Sequence, residues 1–230
     1  MPLLEGSAAG SLGPVDLEAM GFTTVAVDLL DLAVSPGLDV LAAAGGLAQF
    51  TGWHGTTVAL TRAHPTADGQ PGTADGGWRA RRPPALVRDH DGDLTVRSAI
   101  DGSIHHFTAS GLARAAADLG ARPVEDLVPQ GGLGWWDSPA DDPPSTAFVV
   151  SAVPATAARA GLYLSAGRWL EIAAATDAAA VGPLAVDCSC RACEIAEVGY
   201  IGHLWRQHEI TASHLLGWHN LHQARLLVEG

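Results

Sequence analysis

Cys188-Ser189-Cys190-Arg191-Ala192-Cys193 places three sulfurs within six residues and holds every cysteine of the 230-residue chain. An odd number of thiols packed this closely makes a poor disulfide framework. In a reducing compartment such a cluster reads as metal ligands or redox chemistry. Zinc is a borderline-soft ion that takes four tetrahedral ligands, so three thiolates call for one more, usually an imidazole. Downstream stand His203, His208, His214, His219 and His222. A helix after Cys193 carries the chain away and a turn brings it back, which favours His214, His219 or His222. A Cys3His shell is closed to water, so the ion it holds is structural. Three other readings compete: ordinary buried thiols, a catalytic zinc, and a redox pair at Cys190 and Cys193. The redox pair has C-x-x-C spacing but no thioredoxin-like βαβ surround.

Working outward, the chain is 47% apolar, enough for a sizeable core, and its formal net charge is −12. All of its positive side chains are arginine, and lysine is absent. An acidic chain repels phosphate backbones, so tight nucleic-acid binding by this chain alone is not expected. No apolar run approaches the 18 or more residues of a membrane span. The opening Met1-Pro2-Leu3-Leu4-Glu5 lacks a basic segment followed by an apolar one, so no signal peptide is expected and the cytosol is the expected home.

The elements upstream of the cysteines alternate. A short helix is predicted over 14–20, a buried strand over 22–30, a helix over 38–44 stopped by Gly45-Gly46, and a strand over 56–60. This rhythm favours α/β units with parallel strands. Loops are predicted over 66–84 and 129–144. Asp101-Gly102 between 94–97 and 104–107 signals a hairpin. A helix over 109–119, short strands over 147–153 and 161–164, and an alanine-rich helix over 169–180 follow. The apolar spacing of 194–216 is close to helical.

The C-terminal block resembles the zinc subdomain of the tRNA-guanine transglycosylases, the queuine tRNA-ribosyltransferases. That family carries C-x-C-x2-C and, after twenty-five residues, a histidine; His219 stands at that distance from Cys193. Tyr200-Ile201-Gly202-His203-Leu204 is similar to its Y-L-x-H-L, and Glu209 falls on a glutamate position. Leu215-Leu216-Gly217-Trp218-His219-Asn220-Leu221 resembles its L-L-T-I-H-N-L. The resemblance selects His219 as the fourth ligand, with Cys188, Cys190 and Cys193, for one structural Zn2+. Weaker likenesses lie upstream. Met1-Pro2 sits at an M-P strand, and Ser35-Pro36-Gly37 looks like R-P-G. Residues 45–53 resemble G-G-L-x-x-F-x-G-W, residues 97–103 F-R-S-x-x-D-G-S, and Leu119-Gly120-Ala121 L-G-A.

The resemblance implies a (β/α)8 barrel. Only 187 residues precede Cys188, short for a full one. The expected fold is therefore α/β: a degenerate or incomplete (β/α)8-type barrel over 1–187, with a zinc-binding helical subdomain over 188–230. The family exchanges a base in tRNA, with one aspartate attacking ribose and a second handling the proton. Here Arg62 stands at the proton-handling position, and arginine stays protonated. Leu127, Val128 and Pro129 stand where F-D-E recognises the base. Gln130-Gly131-Gly132 resembles Q-G-G only weakly. The nucleophile's D-x-F-D-C-V-x-P-T-R finds no counterpart, and G-G-L-S-V-G-E is absent.

The first functional expectation is thus a non-catalytic, zinc-binding subunit supporting a catalytic transglycosylase-like partner in a heterodimer. Self-association is the other assembly considered. tRNA would be reached only through the partner, and no membrane is involved. Tyr200, Trp205 and Trp218 are candidate anchors. The alternative is a divergent transglycosylase acting on a nucleoside or 7-deazapurine, with Asp28, Asp31, Glu125, Asp126 and Asp137 as candidate carboxylates. The third is a binding module using the loop pair Trp135-Trp136. Arg79, Arg81 and Arg82 form the one basic cluster, a candidate phosphate contact.

Overall fold

Six parallel strands, laid down in chain order, form the frame. The structure is a computed structural model that describes residues 1–4, 9–60, 85–88, 93–98, 101–127, 132–174 and 180–229. The predicted loop over 66–84, with its three arginines, lies outside these residues, as do Arg62, Val128, Pro129, Gln130 and Gly131.

The strands are β1 (Leu3–Leu4), β2 (Thr24–Asp28), β3 (Thr56–Leu60), β4 (Ala85–Arg88), β5 (Leu94–Arg97), β6 (Ile104–Phe107), β7 (Arg122–Pro123), β8 (Leu133–Trp136), β9 (Phe148–Ser151), β10 (Leu162–Ser165) and β11 (Arg168–Glu171). The helices are α1 (Pro14–Ala19), α2 (Leu29–Leu32), α3 (Leu38–Ala43), α4 (Leu47–Thr51), α5 (Ala109–Asp118), α6 (Val153–Arg159), α7 (Arg191–Ile195), α8 (Val198–Arg206) and α9 (Ile210–Glu229). Strands β1-β2-β3-β7 form one parallel sheet and β8-β9 another. A parallel bridge between Pro2 and Ser151 joins them, so the last strand of the series returns to the first.

Burial on both faces follows from the sequence. In β2, Val25 and Val27 point into one apolar cluster and Ala26 into another, the pattern of a parallel strand covered on both sides. The second cluster collects Leu3, Ala26, Val58, Leu60 and Val150, with Leu133 and Trp135 packed against it. Side chains from β1, β2, β3, β8 and β9 meet there, which requires the sheet to curl around them. Between β3 and α5 lies a separate antiparallel sheet, β4-β5-β6. Its β5–β6 turn holds Asp101-Gly102 as expected: Gly102 has φ 76, and Asp101 accepts the Ser103 N–H at 3.0 Å and its hydroxyl at 2.7 Å.

Two upstream motifs meet in space. Leu47 N–H donates to the Leu119 carbonyl at 3.0 Å, joining the G-G-L and L-G-A segments. Gly46 has φ 96, and a Cβ there would stand 2.9 Å from that same carbonyl oxygen. Gly46→Ala is therefore expected to lower the unfolding free energy by about 1–3 kcal/mol, read by urea denaturation. An unchanged midpoint would show that this contact is slack.

Several expectations are corrected. The strand predicted over 22–30 stops at Asp28, whose carboxylate accepts the Leu30 N–H at 3.0 Å and caps α2. The stretch 129–144 contains β8, so Trp135-Trp136 lie in a strand rather than a loop contact. Trp136 is 2% exposed and packs on Trp169, 6.0 Å between ring centres. Trp169 itself belongs to β11, not to a helix over 169–180. The strand over 147–153 ends at Ser151, where α6 begins two residues later. The helix over 194–216 is three helices. Extended backbone at Ala196 separates α7 from α8, and His208 at φ 57 separates α8 from α9.

Candidate metal centre

The three sulfurs are brought together by a turn and a helix start. Asp187 takes φ 60, a left-handed conformation that a short polar side chain tolerates, and swings the chain into Cys188. Cys190 is the residue preceding α7, and Cys193 lies in that helix's first turn. Helix α9 brings the fourth group. His219 Nδ1 lies 3.6 Å from Cys188 Sγ, 3.6 Å from Cys190 Sγ and 3.4 Å from Cys193 Sγ. The four donor atoms lie within 4.8 Å of one another and form a compact group that fits one metal ion. A tetrahedron with Zn–S about 2.3 Å and Zn–N about 2.0–2.1 Å has S···N edges of about 3.6 Å, so the spacing fits zinc dimensions.

Orientation of the imidazole is fixed from behind. His219 is fully buried, and its Nε2 lies 2.8 Å from the Leu164 carbonyl oxygen. Nε2 therefore carries the hydrogen, which leaves the Nδ1 lone pair aimed at the sulfurs. Asn220, also fully buried, accepts the Leu164 N–H at 3.0 Å and donates to the carbonyls of Leu162 (2.9 Å) and Pro154 (3.1 Å). The Leu162 carbonyl and both polar backbone groups of Leu164 in β10 are thus satisfied by two adjacent side chains of α9. Gln223, one turn further on, donates from Nε2 to Cys188 Sγ at 3.2 Å. Asn220 and Gln223 escaped the reading of the residues. Asn220 was visible only inside the H-N-L likeness, and Gln223 only as i+4 from His219.

Without a cation the cluster shares its own protons. The hydrogen bond with Cys193, aided by burial, pushes the Cys190 thiol up. The bond from Cys190 brings Cys193 down to about 3, against burial and with help from His219. Burial opposes ionisation of Cys188, but hydrogen bonds from His219 and the Cys190 backbone outweigh it and lower its pKa. Burial likewise disfavours a charged His219, yet its bonds to the Cys188 and Cys193 sulfurs raise it to about 9. Negative sulfur beside a proton-holding imidazole is a set from which a divalent cation displaces protons.

The remaining histidines stand elsewhere. His214 faces the Ser11 carbonyl (3.3 Å) and Asp16 (3.8 Å), and half-buried His222 lies outside the group. Among the candidate carboxylates, Asp28 and Asp31 sit at the β2–α2 junction, Glu125 and Asp126 in the 3-10 turn after β7, and Asp137 just after β8. Among the described residues, the Cys3His set is the one gathering of three or more His, Cys, Asp or Glu with this compactness.

Known proteins match this same region. The family model described as queuine tRNA-ribosyltransferase covers residues 148–230. Residues 148–230 are thus similar to the queuine tRNA-ribosyltransferase family. The enzyme of that name from Dinoroseobacter shibae is 36% identical over 78 residues, 34% of this chain and 21% of the relative. That from Cereibacter sphaeroides is 48% identical over 48 residues, 21% of this chain and 13% of the relative. A third, from Methylacidiphilum infernorum, is 25% identical over 127 residues, 55% of this chain and 30% of the relative. The chain thus spans less than a third of the length of these curated relatives. The match to the queuine tRNA-ribosyltransferase family opens at Phe148, the first residue of β9, so the likeness reaches upstream of the cysteines through β11 and β10. Among the described residues, no helix is long and apolar enough to cross a membrane.

Proposed function

We propose that this chain is a zinc-holding, non-catalytic subunit of a transglycosylase-like complex, supporting a catalytic partner in base exchange on tRNA. Its six parallel strands are read as an incomplete (β/α)8-type barrel, and Cys188, Cys190, Cys193 and His219 as the ligands of one structural Zn2+. The observation that carries the reading is the chemistry of the stretch where the family match begins. Residues 148–170 contain no aspartate or glutamate. Strand β9 ends in Ser151, which is 7% exposed. Its hydroxyl donates to the Trp136 carbonyl at 2.7 Å and accepts the Val153 N–H at 3.0 Å. That hydroxyl ties strand to strand and strand to helix; attack on a ribose carbon needs an accessible, activated nucleophile. The metal group thus comes with its supporting hydrogen bonds, while residues 148–170, through which the chain approaches it, offer no carboxylate.

A partner needs a surface. Of the three aromatic candidates, Trp218 is buried and Trp205 packs over Gly161, whereas Tyr200 is 53% exposed and Ile195 64% exposed. These two are the proposed anchors in a cytosolic heterodimer. The acidic charge of −12 favours one second reading: a divergent enzyme of nucleosides or 7-deazapurines.

Co-expression with the catalytic homologue of the same genome distinguishes the two. The proposal predicts one-to-one co-purification, and no incorporation of labelled guanine into tRNA or nucleoside by this chain alone. Exchange by the isolated chain would overturn it.

A further inference from the structure

We propose that Gln223 is a positioning residue of the metal centre. Its side-chain amide holds the Cys188 sulfur in register and draws off part of its charge, which slows loss of the ion. The inference rests on the metal reading above and extends it to a residue outside the ligand set.

The ligands are unequally supported. Cys190 is 3% exposed and is the N-cap of α7, and Cys193 lies within that helix. His219 is held by the Leu164 carbonyl. Cys188 is half-buried and sits in non-helical chain directly after the left-handed Asp187. Its sulfur accepts the Cys190 backbone N–H, but Cys188 itself lies outside any helix, unlike Cys193 and His219. Gln223 adds a side-chain donor to that backbone one. It stands four residues after His219, so the two side chains leave α9 on one face. One reaches the sulfur group as a ligand, and the other donates its Nε2 hydrogen to Cys188 Sγ at 3.2 Å. A hydrogen bond to an ionised acceptor is stronger than a neutral one and spreads the sulfur's negative charge. Partners of this kind behind a ligand typically change metal affinity by about 10–100-fold.

The test uses the full chain loaded with Co2+ for its spectrum and with Zn2+ for release. Gln223→Met keeps length and removes the donor; Gln223→Glu puts a negative charge beside the sulfur. Both are expected to shift the thiolate-to-cobalt absorption. They should also speed zinc transfer to a chromogenic chelator, about 10-fold for Gln223→Met and more for Gln223→Glu. Folding is followed by circular dichroism in parallel, so the half-buried position allows one variant to report if the other fails to fold. Unchanged absorption and release in a folded variant would overturn the role of Gln223 while leaving the metal centre intact. Absence of thiolate-to-cobalt absorption in the parent would overturn the metal reading itself, and this inference with it.

Discussion

Cys190→Ser is expected to abolish metal retention and to remove most of the protein from the soluble fraction. Cys190 is the most enclosed of the three thiols, 3% exposed, and its carbonyl also accepts the Glu194 N–H that starts α7. Losing it breaks the donor set and leaves a hydroxyl in a site shaped for sulfur. Structural zinc contributes about 10–16 kcal/mol in small modules, as large as the whole stability of a typical domain, about 5–15 kcal/mol. Because α7, α8 and α9 reach the rest of the core through Ala192, Ile201, Leu216 and Trp218, the loss is expected to spread beyond the cluster. Soluble yield, metal per chain and far-ultraviolet circular dichroism check this. A soluble variant with the parent's melting temperature would mean that the cysteines do not hold the fold.

The second large effect is expected at Asn220. Its amide makes three hydrogen bonds in a fully buried position, two to β10 and one to the Pro154 carbonyl before α6 continues. Asn220→Ala takes these bonds from the Leu164 N–H and the Leu162 carbonyl and one bond from the Pro154 carbonyl of α6. The cost is about 3–5 kcal/mol, with part of it shared through the adjacent His219. Urea denaturation of the metal-loaded chain gives the number. A loss under about 1 kcal/mol would show that β10 is held by β11 alone.

These two sites were unequally legible. Three cysteines in six residues announce a donor set, and the return of the chain at His219 follows from its distance and the family likeness. Asn220 announces nothing, because its partners are main-chain atoms of a strand and a helix some sixty residues away. The parallel strands β2 and β3 were readable as β-branched apolar runs. Strand β8 was not, since Gly134 and the Gly and Pro around its two tryptophans look like a loop and its partner β9 is distant in sequence. Strand β11 was hidden by alanines after Trp169 that suit a helix. The hairpin that creates it turns at Ala166 and Gly167, with φ 50 and 74. The apolar spacing of 194–216 is continuous, yet the chain breaks twice. Left-handed His208 reverses its direction so that His219 meets the sulfurs. The upstream segments that resemble family motifs serve packing here, Gly46 against Leu119 and the Asp101 turn among them.

X-ray absorption at the zinc edge, on the chain purified without added metal, tests the central claim most directly. The expected result is about one zinc per chain, surrounded by three sulfurs at about 2.3 Å and one nitrogen at about 2.0–2.1 Å. A folded chain with no metal and three freely titrating thiols would contradict it, as would a shell containing a water oxygen.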